Sequence, residues 1–345
     1  MAEKVKYAAG VDVGSRSVKV VLGVPGPDGF RVLSVAVEEF GEGKGGREAP
    51  MERVAEAIAA ASAKAGVADA FVATGLAGRN VVVRFIELPR MSQQDAAGAI
   101  SYEAEQFIPF DTSECLMDYQ VLDPEGTSRR MAAVIVAAKR DYVEERMEAL
   151  TKAGLQPRVV DVEAFAALNA FTRKRRWQDG ETVGVVNLGA QITSLCILRD
   201  GIPAFGREVN LAGDHLTEAV AKGAKLELAE AEALKRANAD VAHLEGPMTY
   251  LGQMLEELSA ELRMSFDYFE NQSGGSSVSR VFVSGGTGKL RNIDKYLGDA
   301  LRQPVEIWNP LEGLVTDEEL RSPELEEAAP LAAVAVGLAL RGEEQ

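Results

Sequence analysis

Gly10-Val11-Asp12-Val13-Gly14-Ser15-Arg16-Ser17-Val18-Lys19 is the stretch that decides the reading of this chain. The apolar run from Tyr7 to Val13 predicts a buried strand, the small polar residues after it a turn, and Val18 to Val24 a return strand. Such a β-hairpin suits a phosphate tail with its metal. Backbone N–H groups of the turn Gly14, Ser15, Arg16 and Ser17 point at phosphate oxygens, Lys19 adds a point charge, and Asp12 holds Mg2+ through water. An ordinary hairpin with a polar turn has the same local pattern, so recurrence decides between the two.

The pattern recurs. Val183-Gly184-Val185-Val186-Asn187-Leu188-Gly189-Ala190-Gln191-Ile192-Thr193-Ser194-Leu195 repeats strand, polar residue, apolar residue, glycine, turn and strand. Repetition of a whole hairpin predicts two similar halves facing each other across a cleft, with Asn187, Gly189, Ala190, Gln191 and Thr193 on the second side. A third glycine turn, Val281 to Gly288, follows an apolar run and precedes a helical pattern from Leu290 to Leu301. Three glycine turns on strands, two of them hairpins, resemble the actin-like ATPase superfamily over nearly the whole chain. The resemblance implies an α/β, RNase H-like fold: two similar domains, each on a mixed five-stranded sheet with a smaller subdomain, around a cleft for ATP and Mg2+. It sets Ser284, Gly285, Gly286 and Thr287 beside the adenine and ribose.

Composition agrees with a soluble globular chain. Of 345 residues 46% are apolar and 26% charged, enough for two domains. The longest apolar run, Leu331 to Leu340, falls short of the ~20 residues a bilayer span needs, and Met1-Ala2-Glu3-Lys4 does not open a signal peptide. These features predict a cytoplasmic protein that reaches a membrane only through a partner. A formal charge of −16 disfavours nucleic acid and anionic lipid and points to protein partners. Cys115 and Cys196 show no metal spacing, and with only His215 and His243 no histidine-built zinc site is expected. The basic run Arg173-Lys174-Arg175-Arg176 reads as cations at a helix end, with a membrane or partner contact as the alternative. Gly41 to Gly46 reads as an exposed mobile loop, and Glu312 to Glu327 as a solvated acidic segment.

The most distinctive part of the chain is Val81 to Asp118. A β-branched and aromatic run ends at Leu88-Pro89, Ser92 is a candidate N-cap with Asp95 at capping-box distance, and a helix runs to Ile108 before Pro109-Phe110 stops it. Leu88-Pro89-Arg90-Met91, then Ala99-Ile100-Ser101-Tyr102-Glu103-Ala104-Glu105, then Ile108-Pro109-Phe110 resemble the signature of the PilM family. That family comprises cytoplasmic actin-like proteins of type IV pilus machines. The resemblance implies an inserted subdomain that docks the cytoplasmic N-terminal tail of a PilN-like inner-membrane protein, in a groove bordered by Leu88, Pro89, Ile108, Pro109 and Phe110. Core packing of the subdomain is the other reading of Phe107, Ile108 and Phe110. The first domain is expected over 1–178, its core 5–84 and 159–178 and its insertion about 85–158; the second over 179–345, with a small helical subdomain about 213–262 and a final helix 331–341 returning to the interdomain region.

Three further features bear on chemistry. In the superfamily the segment Val159 to Leu168 would open a helix under the cleft with Glu163 polarising the attacking water; a carboxylate offsetting the helix dipole is the alternative. Glu232 and Lys235 share a helical face, where the resemblance has them contact ribose and base and plain geometry allows a surface salt bridge. Asn187 stands where many actin-like ATPases carry Asp, which removes a charge that would help hold Mg2+. The expected protein is therefore an ATP-binding scaffold of type IV pilus assembly with weak or absent hydrolysis, linking its tail partner to the pilus platform or motor, with self-association open. An FtsA-like division or other actin-like filament protein, a sugar-kinase-like enzyme and a nucleotide-independent adaptor are the rivals, and Leu340-Arg341-Gly342-Glu343-Glu344-Gln345 offers none of the amphipathic membrane helix of the first.

Overall fold

The computed structural model describes residues 6–27, 29–41, 49–124, 126, 129–173, 175–316 and 328–344. Most of the Gly41 to Gly46 loop, Lys174 and 317–327 of the acidic segment lie outside these residues. The chain opens with β1 (Ala8–Val13), β2 (Ser17–Gly26) and β3 (Gly29–Glu39), an antiparallel meander, followed by α1 (Met51–Ala65) and β4 (Phe71–Leu76). After a small module comes β8 (Pro157–Val162), which with β4 extends the sheet in parallel. The module itself is β5 (Val81–Pro89), α2 (Gln93–Phe107), β6 (Cys115–Val121), β7 (Arg130–Lys139) and α3 (Arg140–Lys152), with β7 at the centre of its own antiparallel sheet. Ser92 caps α2 as the sequence predicts, accepting from the Asp95 N–H at 3.2 Å; its own hydroxyl donates to the Asp95 carboxylate at 2.6 Å.

Helix α4 (Glu163–Thr172) leads into the repeat: β9 (Thr182–Leu188), β10 (Thr193–Arg199) and β11 (Ile202–Val209), again an antiparallel meander. Next come α5 (Gly213–Ala224), α6 (Leu228–Asn238) and α7 (Leu251–Gln272), and then β12 (Arg280–Ser284), α8 (Ile293–Leu301) and β13 (Val305–Ile307) complete the second sheet in parallel. Its order is β11-β10-β9-β12-β13. Helix α7 buries Leu251, Leu255, Leu258, Leu262, Phe266 and Phe269, a stripe at steps of three and four that covers one side of this half. Each such side chain withdrawn from water contributes about 1.5–3 kcal/mol. The third glycine turn is followed by a short 3-10 turn, Gly286–Lys289, and α8 begins later than the sequence pattern suggested because Asn292 is left-handed at φ 62°.

The first sheet departs from expectation in one respect. It has six strands, because β14 (Val315–Thr316), late in the chain, adds itself in parallel to β3. The last helix, α9 (Ala333–Leu340), then lies on this sheet, with Ala335, Val336 and Ala339 packed among Ala8, Val21 and Phe30. Helix α4 makes the opposite move: Ala167, Leu168 and Phe171 share a core with Val183, Val185, Leu198 and Phe282 of the second sheet. The two helices cross where only hydrogen fits. A Cβ on Gly337 would stand 1.6 Å from the Ala166 carbonyl oxygen, and one on Gly10 of β1 would stand 2.0 Å from that of Ala335.

Two arginines of the basic run pair within the chain, while Arg176 is exposed. Arg173 pairs with Glu343 at 2.6 Å, and Arg175 pairs with Glu181 at 2.9 Å while its guanidinium lies 4.3 Å from the Phe282 ring centre and 5.0 Å from that of Phe171. Gly337→Ala is expected to destabilise the protein by about 3 kcal/mol or more, since backbone must move to admit the methyl group. Urea unfolding followed by far-UV circular dichroism measures it, and a wild-type midpoint would show that the crossing is loose.

Candidate functional site

The two hairpins present matching turns. Gly14 N–H donates to the Ser17 carbonyl at 3.1 Å, and Gly189 N–H donates to the Ile192 carbonyl at the same distance. Registers match as well, Asp12 opposite Lys19 and Asn187 opposite Ser194. Asp12 is buried at the end of β1, with Lys19 Nζ 3.3 Å from its carboxylate. Ser15 is exposed at the tip, Ser17 is buried, and the Arg16 carbonyl accepts the N–H groups of Phe40 and Gly41, which ties the turn to the end of β3. On the other side the Asn187 side-chain oxygen accepts the Ser284 hydroxyl at 3.3 Å, so this amide is already engaged.

The third glycine turn closes on the second hairpin. Gly285 holds φ 91°, and a side chain there would meet the Leu188 carbonyl oxygen at 2.4 Å and the Asn187 side chain at 2.6 Å. The buried Thr287 hydroxyl donates to the Gly189 carbonyl at 2.8 Å, Gly286 is exposed beside it, and Gly213 at the start of α5 donates its N–H to the same carbonyl at 3.1 Å. Glu232 and Lys235 join this group. Their charged ends are 2.6 Å apart, and Lys235 Nζ also donates to the Gly213 carbonyl at 2.9 Å and the Thr217 hydroxyl at 2.7 Å. Burial opposes ionisation of Glu232, yet Lys235, Thr217 and Arg236 together draw its carboxyl down to about 2. The pair is an internal ion pair with a fixed geometry, not a loose surface contact.

Glu163 stands at the first turn of α4, its side chain against Gly75 at the end of β4. Burial pushes its carboxyl up to about 8, the Asp12 charge adds to this, and Arg146 and Lys19 oppose it. At neutral pH such a group carries its proton and accepts another poorly.

Several predicted residues lie elsewhere. Thr193 is fully buried and its hydroxyl donates to the Leu211 carbonyl at 2.7 Å, and the position opposite Asn187 falls to Ser194, its neighbour on the other face of β10. Leu88 and Ile108 are inside the module core with Ile100, Ala104, Met131 and Ile135, which removes both from any groove. Pro89 and Pro109 are exposed, and Phe110 is half-buried with Lys139 Nζ 4.8 Å from its ring centre. The module exposes instead Tyr102 and Phe107 of α2 and Leu116 and Met117 of the edge strand β6, at 67, 43, 42 and 44% of their surfaces. Ala190 and Gln191 are half-buried in their turn.

Sequence reasoning missed three charged groups. Arg16 reaches Asp214 in the first turn of α5, Nε at 3.0 and 3.1 Å from the two carboxylate oxygens and Nη2 at 2.8 Å from one of them. Glu208 of β11 takes the Gly78 N–H on both oxygens at 3.1 and 3.0 Å. Arg146 of α3 donates to the Gly75 carbonyl at 3.1 Å beside Glu163. The one local signal was an acid next to Gly213 at a helix start, which reads equally as a dipole partner. A surface hollow of about 700 Å³ between α7 and α8, lined in part by Arg263, Glu270 and Arg302, borders none of these residues.

Two repeated meanders, each extended by parallel strands, and two helices crossing between them define an actin-like fold. Solved structures agree: the ethanolamine utilization protein EutJ from Carboxydothermus hydrogenoformans is similar at a TM-score of 0.58 and 16% identity, covering 97% of this chain and 89% of that one. MreB 5 of Spiroplasma citri, bound to AMPPNP, is similar at 0.51 and 13%, over 97 and 95%. A sequence profile described as type IV pilus assembly protein PilM matches residues 10–343, and the chain belongs to the PilM family. A chain in a structure of the PilM-PilN type IV pilus biogenesis complex is 31% identical, with a TM-score of 0.87 over 98% of this chain and 99% of that one.

The raised Glu163 carboxyl makes stability depend on pH. Its folded value of about 8 exceeds the ordinary 4.5, so the contribution is complete below about 4.5 and lost as pH rises through about 8. Without metal or nucleotide, Glu163→Gln is expected to melt several degrees above wild type at pH 8.5 and together with it at pH 5. Parallel curves at both pH values would show that Glu163 ionises normally.

Proposed function

We propose that the chain binds ATP with Mg2+ in its cleft, turns it over slowly or not at all, and docks the cytoplasmic N-terminal tail of a PilN-like inner-membrane protein, linking it to the pilus machinery. Membership of the family and similarity over 98% of the chain to a protein solved in a PilM-PilN complex carry this reading. On it, residues 1–178 and 179–345 form the two halves and the tail brings a chain of net charge −16 to the membrane.

The residues present fit the cofactor. Two matching N–H-bearing turns face the cleft, Arg16 and Lys19 offer cations to phosphate, and Gly285 to Thr287 with the Glu232–Lys235 pair leaves backbone and polar groups for ribose and base. Among the described residues no cluster of three metal-ligating side chains occurs, so Mg2+ would ride on the phosphates with Asp12 holding it through water. Bound there, the ion supplies charge neutralisation to the phosphates. Asn187 adds no charge on its side, and burial pushes the Glu163 carboxyl up to about 8. Turnover is accordingly expected below ~1 s⁻¹.

For the tail, Pro89, Pro109 and Phe110 remain as candidate contacts, joined by Tyr102, Phe107, Leu116 and Met117. Exposed Asp111, Glu114 and Asp118 nearby in sequence favour a tail with basic residues, while the apolar anchors supply most of the affinity.

Mg-ATP at a hundred times its Kd is expected to raise stability by about 2.7 kcal/mol, less in Lys19→Ala; an unmoved melting curve of nucleotide-free wild type rejects the cleft assignment. Asn187→Asp should raise the steady-state phosphate release rate, and fast turnover of wild type abolished by Glu163→Ala would sink the slow-hydrolysis reading. Phe107→Ser combined with Met117→Ser, in a variant with native circular dichroism, should weaken binding of the tail peptide about tenfold and leave Mg-ATP affinity unchanged. Unchanged peptide binding moves the docking site elsewhere.

A further inference from the structure

The ion pair between Arg16 and Asp214 joins residues 198 positions apart and connects the two sides of the cleft. Each partner is tied to one of the two glycine turns. Arg16 sits in the first glycine turn, between Gly14 and Lys19. Asp214 is fastened to the second, since its own N–H donates to the Ala190 carbonyl at 2.7 Å and its neighbour Gly213 donates to Gly189. Both side chains are largely covered, at 24 and 13% exposure, so this contact is screened far less than a rim pair. Other ion pairs also join residues of the two halves, Arg173 to Glu343 and Arg341 to Asp161, but neither involves a glycine turn; Arg236 to Glu39 at 2.8 Å is exposed on both sides, and Glu208 holds a backbone N–H.

A guanidinium presents the same planar fork to a carboxylate and to a phosphate. The Arg16 fork lies in the turn that would cradle a polyphosphate, and Asp214 now fills it with two oxygens. A polyphosphate entering there meets a carboxylate of its own sign and a cation already committed to it.

We propose that Asp214 is a positioning residue of the nucleotide site that holds Arg16 across the cleft until a polyphosphate takes the guanidinium over, so that occupancy replaces the bridge between the two halves. This rests on the nucleotide reading above and adds to it a mode of regulation. Arg16 then serves two states, as a strap in the empty protein and as a phosphate ligand in the loaded one. Adenosine, which has no phosphate, leaves the strap in place.

The test combines calorimetry with distance measurement. Mg-ATP, Mg-ADP and adenosine are titrated into wild type, Asp214→Asn, Arg16→Ala and Arg16→Lys. Asp214→Asn, nearly isosteric, is expected to bind both polyphosphates about fivefold tighter and adenosine unchanged, because the competing charge is gone. Arg16→Ala is expected to weaken the polyphosphates, and Arg16→Lys to recover part of the loss. Spin labels at Glu56→Cys of α1 and Lys222→Cys of α5, both exposed, report the separation of the halves in a chain whose native cysteines are buried. Without nucleotide, Asp214→Asn and Arg16→Ala should broaden the distance distribution alike although they move affinity in opposite directions. Unchanged polyphosphate affinity in Asp214→Asn, or a distribution identical to wild type, overturns the exchange while wild-type ATP binding keeps the nucleotide reading. Wild type that binds no Mg-ATP overturns both.

Discussion

Everything at the cleft depends on the crossing of α4 and α9. Each helix is delivered by one part of the chain and packs on the sheet of the other, α4 against β9, β10 and β12 and α9 against the first sheet. At Gly337 and Gly10 the backbones meet with no room for a methyl group. Close-packed interiors transmit small displacements instead of absorbing them. The start of α4, which carries Glu163, and the end of β1, which carries Asp12, are therefore set relative to each other by a contact between two glycines and two carbonyl groups. The charges that act on Glu163 come from both sheets and from α3, and they share one neighbourhood because of this crossing.

The two hairpins share a turn and differ in what they offer. Register places Lys19 opposite Asp12 in the first and Ser194 opposite Asn187 in the second. The first hairpin thus brings a compensated carboxylate and cations, and the second brings hydroxyls, an amide and backbone. Glu232 and Lys235 do not alter that balance, because each neutralises the other. An even scaffold is made electrostatically one-sided by substitutions at a few paired positions.

Much of this architecture was legible because it is local. Gly66 stops α1, Ser92 starts α2, alternation marks the hairpins and steps of three and four mark α7. Glu163 at a helix start and the Glu232–Lys235 spacing were likewise readable, though not the burial that raises the Glu163 carboxyl or the contacts that lower that of Glu232. What escaped was contact between distant positions. Asp214 and Glu208 lie 198 and 130 residues from their partners, and two-residue β14 has no period to detect. Leu88 and Ile108 next to prolines look the same in a core and in a groove, and only the sheet beneath α2 decides between these. Thr193 was avoidable, since the register of the first hairpin already assigned the paired position to Ser194.

The passage from α4 to β9 carries one more property. Arg175 lies over Phe171, Trp177 and Phe282, and Trp308 stacks edge-on against the same Phe171, 5.3 Å between ring centres. The chain has two tryptophans, and both are in this cluster. Tryptophan emission from the unlabelled protein, excited selectively over its seven tyrosines, therefore originates in the cluster packed on the segment that joins one sheet to the other. Any rearrangement that shifts α4 against the second sheet alters the surroundings of both indoles at once, so the molecule has a native optical gauge at the junction through which its two parts move.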